Sequence, residues 1–174
     1  LLNNLLDLSK LEAGKAELHY AEADIASLVK HSIKELNSII DEKKLNVTMQ
    51  SDSDTIAMVD KDKIVQVVIN LLSNAIKFTD NGKQINIEIK NTKLGGKKAV
   101  SVSVMDAGLG IPEDELETIF DKFLQSSKTK TGAGGTGLGL SICREIIELH
   151  HGKIWAENNK KEGSIFTFTI PIKK

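Results

Sequence analysis

The sequence predicts an α+β fold in which helices are layered on one face of a mixed sheet. Apolar residues recur at helical spacing over residues 60–78 and 137–151. Apolar and polar residues alternate over residues 84–92 and 100–104, as they do in half-buried strands. Two glycines within residues 94–97 favour a hairpin between these strands. The length of 174 residues suits one globular domain with a short appendage.

Leucines recur at spacings of four and three at the start of the chain, at Leu1, Leu5, Leu8 and Leu11. This is the spacing of a helix seam, and it stops at Ala13 and Gly14, where a glycine favours a helix end. We interpret this segment as the end of a longer coiled-coil helix whose start is missing. The alternative is a single amphipathic helix that packs on its own domain.

Capping residues separate the elements that follow. Asp24 and Asp60 each precede an apolar-periodic run and have the short oxygen-bearing side chain of an N-cap. The expected elements are a strand at residues 16–23, a helix from Asp24 to about Lys43, strands at 45–50 and 56–59, and a helix from Asp60 to about Phe78.

The last third of the chain is expected to contain two helices and a hairpin. Pro112 opens a short helix that has acidic residues in its first turn, where they suit the helix dipole. The helix that follows Gly137 ends at Gly152. Residues 153–157 and 164–170 alternate as the two strands of a final hairpin.

Composition excludes several classes of function. The formal net charge is −1, so no broad electrostatic field favours nucleic acid or an anionic membrane. No signal peptide or membrane-length apolar run is present. Arg144 is the only arginine, so backbone amides and lysines would have to bind any phosphate. Cys143, the only cysteine, is expected to be a buried structural thiol. The chain starts at Leu1 rather than Met, which indicates a piece of a longer protein.

Gly132 to Leu140, with the sequence GAGGTGLGL, predicts a cradle for phosphates. Glycines let the backbone approach a ligand closely, and the helix that follows offers unpaired N–H groups at the positive end of its dipole. A P-loop is excluded because no GxxxxGK precedes a Ser or Thr. Gly132, Gly134 and Gly137 match the dinucleotide fingerprint, but the polar residues 125–131 before them show no strand, which that motif requires.

The helix from Asp60 has a polar stripe at spacings of four, four and three, formed by Gln66, Asn70, Asn74 and Lys77. Asparagine is a poor helix former, so two of them in mid-helix cost stability without a local benefit. Amide oxygens are hard ligands that suit Mg²⁺, and a nearby lysine suits a phosphate. The alternative is a solvated helix face that happens to contain asparagines.

Asp106 comes at the end of an apolar strand and is followed by Gly108 and Gly110. A carboxylate in this setting can accept a hydrogen bond from a flat ligand such as the amino group of adenine. The alternative is a turn aspartate that binds its own loop amides. Further along, we expect Phe120 and Phe123 to fix one end of a mobile flap at residues 124–134, to pack in the core, or to do both.

Three clusters in this order resemble the N, G1, F and G2 boxes of sensor histidine kinases: NLLSNAIKFT (70–79), DAGLGIP (106–112), and FDKF with GTGLGL (120–140). The resemblance covers about residues 16–171. It implies a Bergerat-type two-layer α/β sandwich with a mostly antiparallel sheet, shared with gyrase-like, chaperone and mismatch-repair ATPases. It divides the chain into residues 1–14, the end of a dimerisation helix, and residues 15–174, the catalytic and ATP-binding domain.

The resemblance also implies roles for individual residues. Asp106 would bind the adenine amino group, and Gly108 and Gly110 would shape its pocket. Asn74, helped by Asn70, would coordinate Mg²⁺ on ATP, and Lys77 would contact a phosphate; these three residues would form the catalytic set. The F and G2 boxes would add Phe123, Gly135, Thr136, Gly137, Leu138 and Gly139 to the nucleotide site. Lys128 and Lys130 would reach the phosphates from the lid.

Two features of the family pattern bear on the reaction. The ATPase relatives have a glutamate, the general base for water, four residues before the metal-binding asparagine, and here Asn70 occupies that position and cannot take a proton. The γ-phosphoryl is therefore expected to go to a group from outside rather than to water. The family's phosphoacceptor pattern, H-E/D-x-x-T/N-P, is absent, so the chain is expected to bind ATP without labelling itself.

The expected partners are the chain's own dimerisation domain, within a homodimer, and a response regulator. Neither nucleic acid nor direct membrane contact is expected, and the expected location is the cytoplasm. Two other functions stay open for the same fold. One is a serine-directed kinase of the anti-sigma type, and the other is a non-catalytic module that senses a nucleotide and regulates a partner by lid closure.

Overall fold

A computed structural model describes residues 2–14, 16–128 and 135–172 of the chain. Within these residues the helices are α1 (Leu2–Glu12), α2 (Ile25–Glu35), α3 (Asn37–Glu42), α4 (Lys61–Phe78) and α5 (Gly139–Leu149). The strands are β1 (Tyr20–Asp24), β2 (Asn46–Ser51), β3 (Ile56–Asp60), β4 (Gln84–Leu94), β5 (Lys97–Met105), β6 (Lys153–Asn158) and β7 (Ser164–Pro171).

The main sheet has five strands in the order β2-β4-β5-β7-β6. Strands β2 and β4 run parallel, and the other neighbours run antiparallel, so the expected mixed and mostly antiparallel sheet is confirmed. Strands β1 and β3 form a separate antiparallel pair. The β4–β5 hairpin is also confirmed, because Leu94 pairs with Lys97 across Gly95 and Gly96, which both have the positive φ that such a tight turn requires.

One face of this sheet is covered by helices. The apolar residues of β4 and β5 that were expected to alternate are buried, and Ile87 pairs with Val104 while Ile89 pairs with Val102. Against this face packs the α-helical layer, in which α4 contacts α2, α5 and β5. The α/β sandwich is thus confirmed, with α4 and α5 side by side above the strands.

Both predicted N-caps are present. The Asp24 carboxylate accepts from the Ser27 N–H at 3.2 Å, and the Asp60 carboxylate accepts from the Lys63 N–H at 3.2 Å. These bonds satisfy donors that the first helical turn leaves unpaired. The caps fix where α2 and α4 begin.

Helix α2 is shorter than expected, because a break at Leu36 separates it from α3. Leu36 has φ −95° and ψ 5°, and its N–H is shared between the carbonyls of Ser32 and Ile33. The Ser32 hydroxyl also donates to the Leu28 carbonyl at 2.9 Å, a type of bond that bends helices. The prediction of one helix from Asp24 to Lys43 was therefore wrong in its middle.

Three other boundaries differ from the expectation. The first strand starts at Tyr20 rather than at residue 16, because the N–H of His19 donates to the Asp60 carboxylate and not to a neighbouring strand. The segment after Pro112 forms two short 3₁₀ turns, Glu113–Glu115 and Thr118–Phe120. Helix α5 starts at Gly139, because Gly137 has a φ of 69°, which an α-helix cannot contain.

Helix α1 packs against α5 within this chain. Leu8 and Leu11 are 2% and 3% exposed, whereas Leu2, Leu5 and Leu6 are largely exposed. The C-terminal part of the leucine seam, Leu8 and Leu11, thus packs on the chain's own domain, as the amphipathic-helix alternative expected. Leu1 lies outside the described residues. The domain boundary near residue 14 stays a prediction. No helix among the described residues combines the length and the apolar character needed to cross a bilayer.

Candidate functional site

A cavity of about 370 Å³ lies between α4, the loop after β5, the segment before α5 and the start of α5. The predicted site residues that line it are Asn70, Asn74, Lys77, Asp106, Gly110, Gly135, Thr136, Gly137 and Gly139. Its apolar wall includes Ile111, Ile119 and Phe166. Residues from three separate sequence clusters therefore meet at one concave site, which is large enough for a small organic ligand.

Helix α4 provides the polar side of the cavity. Asn70, Asn74 and Lys77 line it together because their spacing of four and three places them on one helix face. The Asn70 amide donates to the Gly139 carbonyl at 3.4 Å, which connects α4 to the start of α5. The Lys77 ammonium lies 5.1 Å from the centre of the Phe78 ring. Three residues of the predicted stripe thus face a cavity, whereas Gln66 does not line it.

Asp106 also lines the cavity and is only 6% exposed. One carboxylate oxygen accepts from the N–H groups of Gly108 at 2.9 Å and Ser164 at 3.2 Å, and the other accepts from the Ser164 hydroxyl at 2.5 Å. A carboxylate offers about four acceptor positions, so these three bonds leave one for a ligand. Asp106 therefore binds the amides of its own loop, as the turn-aspartate alternative expected, and it also faces the cavity.

Gly108 has a packing role beside this carboxylate. A Cβ at this position would lie 2.5 Å from the Phe78 carbonyl oxygen, so only a glycine lets the loop approach the end of α4 so closely. Gly108 does not itself line the cavity. Its effect on the pocket is to bring Asp106 and the last turn of α4 together.

Phe123 and Leu138 do not line the cavity either. Phe123 has a φ of 61° and is 61% exposed, and its N–H donates to the Gly137 carbonyl at 2.9 Å. Leu138 is fully buried. The other phenylalanine, Phe120, is buried and packs edge-on against Phe166. The structure therefore divides the pair: Phe120 belongs to the core, and Phe123 lies on the surface.

The segment before α5 closes one side of the cavity. Leu124, Gln125 and Ser126 line it, and the Gln125 amide donates to the Gly135 carbonyl. The Lys128 ammonium donates to the Leu109 carbonyl at 3.2 Å, so it bridges this segment to the loop after β5. Lys130, Gly132 and Gly134, and with them most of the expected flap, lie outside the described residues.

Several residues that hold the site were not found from the sequence. Ser164 binds Asp106 across 58 positions, and Asn158 binds the Ile111 backbone across 47. Arg144 donates to the Phe120 carbonyl and to the Asp121 carboxylate, both at 2.9 Å. Asn4, on α1, also lines the cavity. The only signal for Ser164 was its place after Gly163 at the start of a strand, and the other three gave none.

Cys143, on α5, is fully buried, as expected of a structural thiol. Its sulfur is 3.9 Å from the Val67 carbonyl oxygen on α4. Burial raises the pKa of Cys143 to about 12. At neutral pH the group is therefore a thiol without nucleophilic character.

Comparison with known proteins places this chain in a family. A family profile described as histidine kinase-, DNA gyrase B- and HSP90-like ATPase matches residues 59–174. The adaptive-response sensory kinase SasA of Crocosphaera subtropica is 35% identical over 173 residues, which are 99% of this chain and 44% of that protein. The chain thus spans less than half the length of this relative.

Solved structures of histidine kinases resemble this chain as well. The catalytic domain of histidine kinase ThkA superposes with a TM-score of 0.77 at 36% identity, covering 88% of this chain and 96% of that one. ThkA in complex with the response regulator TrrA gives 0.78 at 32% identity, over 99% of this chain and 48% of that one. Full-length ShkA in complex with AMPPNP gives a TM-score of 0.82 at 26% identity, covering 97% of this chain and 34% of that one. The chain belongs to the family of histidine kinase-, DNA gyrase B- and HSP90-like ATPases, and within it to the catalytic domains of the histidine kinase type.

Proposed function

We propose that this domain binds Mg·ATP in the cavity and transfers the γ-phosphoryl group to a histidine on its dimerisation helices, from which a response regulator receives it. The observation that carries the proposal is the buried Asp106 carboxylate, which keeps an acceptor position open toward a cavity that Asn74 and Lys77 also line. ShkA, a similar structure, is a complex with AMPPNP, a nucleotide of the same shape as ATP.

The base and the phosphates would occupy opposite ends of the cavity. Asp106 accepts from the purine amino group, while Lys77 supplies a positive charge for the phosphates. The glycines before α5 and the N–H groups of its first turn, which have no partner within the helix, donate to the same phosphates. The roles of Phe123, Gly108 and Leu138 would be indirect, because none of them lines the cavity.

The magnesium ion would enter with the nucleotide as part of the substrate. Among the described residues, no group of three or more His, Cys, Asp or Glu side chains could hold a metal ion. Asn74 and Asn70 offer amide oxygens at the cavity, and Mg²⁺ usually takes only one or two protein ligands and completes its shell with phosphate oxygens and water. The donor set therefore fits an ion that is carried by ATP.

Transfer to a histidine is favoured over hydrolysis by the residues at the phosphate end. Asn70 has an amide that donates to the Gly139 carbonyl and cannot take a proton from water. None of the four histidines of the chain lines the cavity, so the acceptor has to come from elsewhere. Phosphoryl transfer needs mainly positioning and charge neutralisation, which Asn74 and Lys77 can supply.

The partners follow from this reaction. The acceptor histidine would be on the dimerisation helices of a homodimer, of which α1 would be the end. The ThkA structure with TrrA supports a response regulator as the second partner. The reaction would take place in the cytoplasm, where ATP is available.

A transfer assay tests the proposal directly. The chain is incubated with γ-labelled Mg·ATP and a helical hairpin that has a histidine in the H-E/D-x-x-T/N-P pattern. We expect acid-labile label on the hairpin and none on the chain itself. Asn74→Ala should abolish the transfer, whereas Gln66→Ala, on the same helix face but outside the cavity, should not change it.

Other outcomes of this assay would contradict the proposal in distinct ways. Acid-stable label on the acceptor would indicate a serine-directed kinase. Release of the label as free phosphate would indicate a hydrolase. Nucleotide binding without any transfer would indicate a sensing module.

A further inference from the structure

The loop after β5, residues 106–111, is held by the turn that joins β6 and β7, residues 158–164. We call them the base loop and the β6–β7 turn. At the far end of the base loop, the Asn158 side chain accepts from the Ile111 N–H at 2.8 Å and donates to the Ile111 carbonyl at 2.6 Å. One side chain thus pairs with both polar groups of one backbone residue, in the way that a neighbouring strand would.

This pairing lies directly behind the wall of the cavity. Gly110 and Ile111 both line the cavity, whereas Asn158 does not. Gly110 has a φ of 68°, and a Cβ there would lie 3.0 Å from the side-chain amide oxygen of Asn158. The base loop therefore folds tightly over the Asn158 amide, and the position of its last two residues depends on that amide.

The same turn also holds the start of the base loop. Ser164 donates twice to the Asp106 carboxylate, and its own carbonyl accepts from the Asp106 N–H at 3.0 Å. Between these two points, the Lys83 ammonium bridges the Glu162 carboxylate at 3.0 Å and the Ala107 carbonyl at 3.4 Å. The β6–β7 turn thus holds both ends of the base loop by hydrogen bonds.

We propose that Asn158 is a positioning residue for the purine, acting through Gly110 and Ile111 without touching the ligand. The inference rests on the proposed function, since it assumes that the cavity binds an adenine nucleotide. We call the two hydrogen bonds between Asn158 and Ile111 the clamp. With the clamp in place, the gap between the Asp106 carboxylate and the wall at Gly110 is set before the base enters. Without it, binding has to order the end of the loop, and the affinity falls by that cost.

The position of Asn158 predicts a specific pattern of loss. The clamp contacts the base loop and not α4, so its removal should weaken every adenine ligand by the same factor. The gain in affinity that Mg²⁺ gives to ADP should not change, because Asn70 and Asn74 stay in place. A general loosening of the fold would change both quantities.

Calorimetry on the 174-residue chain tests this, with ADP as the probe in the presence and absence of Mg²⁺. For Asn158→Ala we expect the dissociation constant for ADP to rise about fivefold with and without Mg²⁺, from the loss of two hydrogen bonds. Asn158→Asp should lose at least as much, because its carboxylate can still accept from the Ile111 N–H but faces the Ile111 carbonyl without a donor. Asn158→Ser, which keeps one hydroxyl, should fall between Asn158→Ala and the wild type.

Asn91→Ala is the matched control, because the Asn91 amide also donates to a backbone carbonyl, that of Ser53 at 2.9 Å, but does not line the cavity. Its affinity for ADP should equal that of the wild type. Wild-type affinity in all three Asn158 variants would overturn the inference and leave the proposed function standing. A loss of ADP affinity in these variants that disappears, or grows severalfold, when Mg²⁺ is added would also overturn the inference. A wild-type chain that does not bind ADP would instead overturn the proposed function, and this inference with it.

Discussion

Asp106 fits both of the descriptions that the sequence presented as alternatives, since it binds its own loop and also lines the cavity. Its contacts with Gly108 and Ser164 fix the carboxylate in one orientation, and only 6% of the residue is exposed. A hydrogen bond from a ligand is worth more at such a fixed and partly dry group than at a mobile one. Lys77, which also lines the cavity, is by contrast exposed, and its ammonium lies 5.1 Å from the centre of the Phe78 ring.

The difference between these two residues predicts a difference between ligands. Lys77→Ala should weaken ATP binding about tenfold, the cost of one charged hydrogen bond, and leave adenosine binding unchanged. Lys61→Ala, on the first turn of the same helix and away from this cavity, should affect neither ligand. Titrations of the two variants with ATP and adenosine provide the test. An equal loss for both ligands would show that Lys77 supports the fold rather than the phosphates.

Cys143 gives a second test at the scale of one residue. Because burial raises its pKa to about 12 and no part of it is exposed, the thiol should not react with a disulfide reagent in the native protein at about pH 8. In denaturant it should react at once and in full. Rapid reaction of the native chain would mean that α5 does not pack on α4 as described.

At the scale of elements, local signals in the sequence were reliable and long-range ones were absent. Asp24 and Asp60 could be identified as caps because an N-cap acts within three residues of the helix it starts. The break at Leu36 could not, because it depends on how Ser32 bonds back to Leu28 inside the fold. The same holds for Asn158 and Ser164, whose partners in the base loop are 47 and 58 positions away.

The cap of α2 predicts a pH dependence of stability. Hydrogen bonds from the Ser27 and Thr55 side chains hold the pKa of the Asp24 carboxyl below its ordinary value of 3.8. A carboxyl with a lowered pKa in the folded state stabilises the protein fully above its unfolded value, and this contribution is lost as the pH falls through the folded value. The acid limb of the stability curve should therefore be steeper with Asp24 than without it.

Asp24→Asn keeps an acceptor for the cap but removes this titration. We expect a loss of about 1 kcal/mol in the free energy of unfolding at neutral pH, and a gap to the wild type that closes below pH 3.8. Urea unfolding over a series of pH values measures both. Asp114→Asn, in an exposed turn, controls for the removal of one acidic group. A gap that stays constant with pH would contradict the explanation.

At the scale of the molecule, motifs predicted the composition of the site, and the fold supplied its shape. Asn70, Asn74, Lys77 and Asp106 were identified from the sequence, and the sandwich brings them to one cavity. The different places of Phe120 and Phe123 could not be foreseen, because a φ of 61° at Phe123 is a property of the folded chain. The contribution of Asn4 to the cavity depends likewise on α1 packing against α5.

The central claim is that this cavity binds an adenine nucleotide through Asp106. Isothermal titration of the 174-residue chain with AMPPNP and Mg²⁺ tests it most directly, beside Asp106→Asn under the same conditions. We expect saturable binding of one nucleotide by the wild type, and an affinity about tenfold or more lower in the variant, whose circular dichroism should match the wild type. Absence of binding heat in the folded wild-type chain, or equal affinity in Asp106→Asn, would contradict the account.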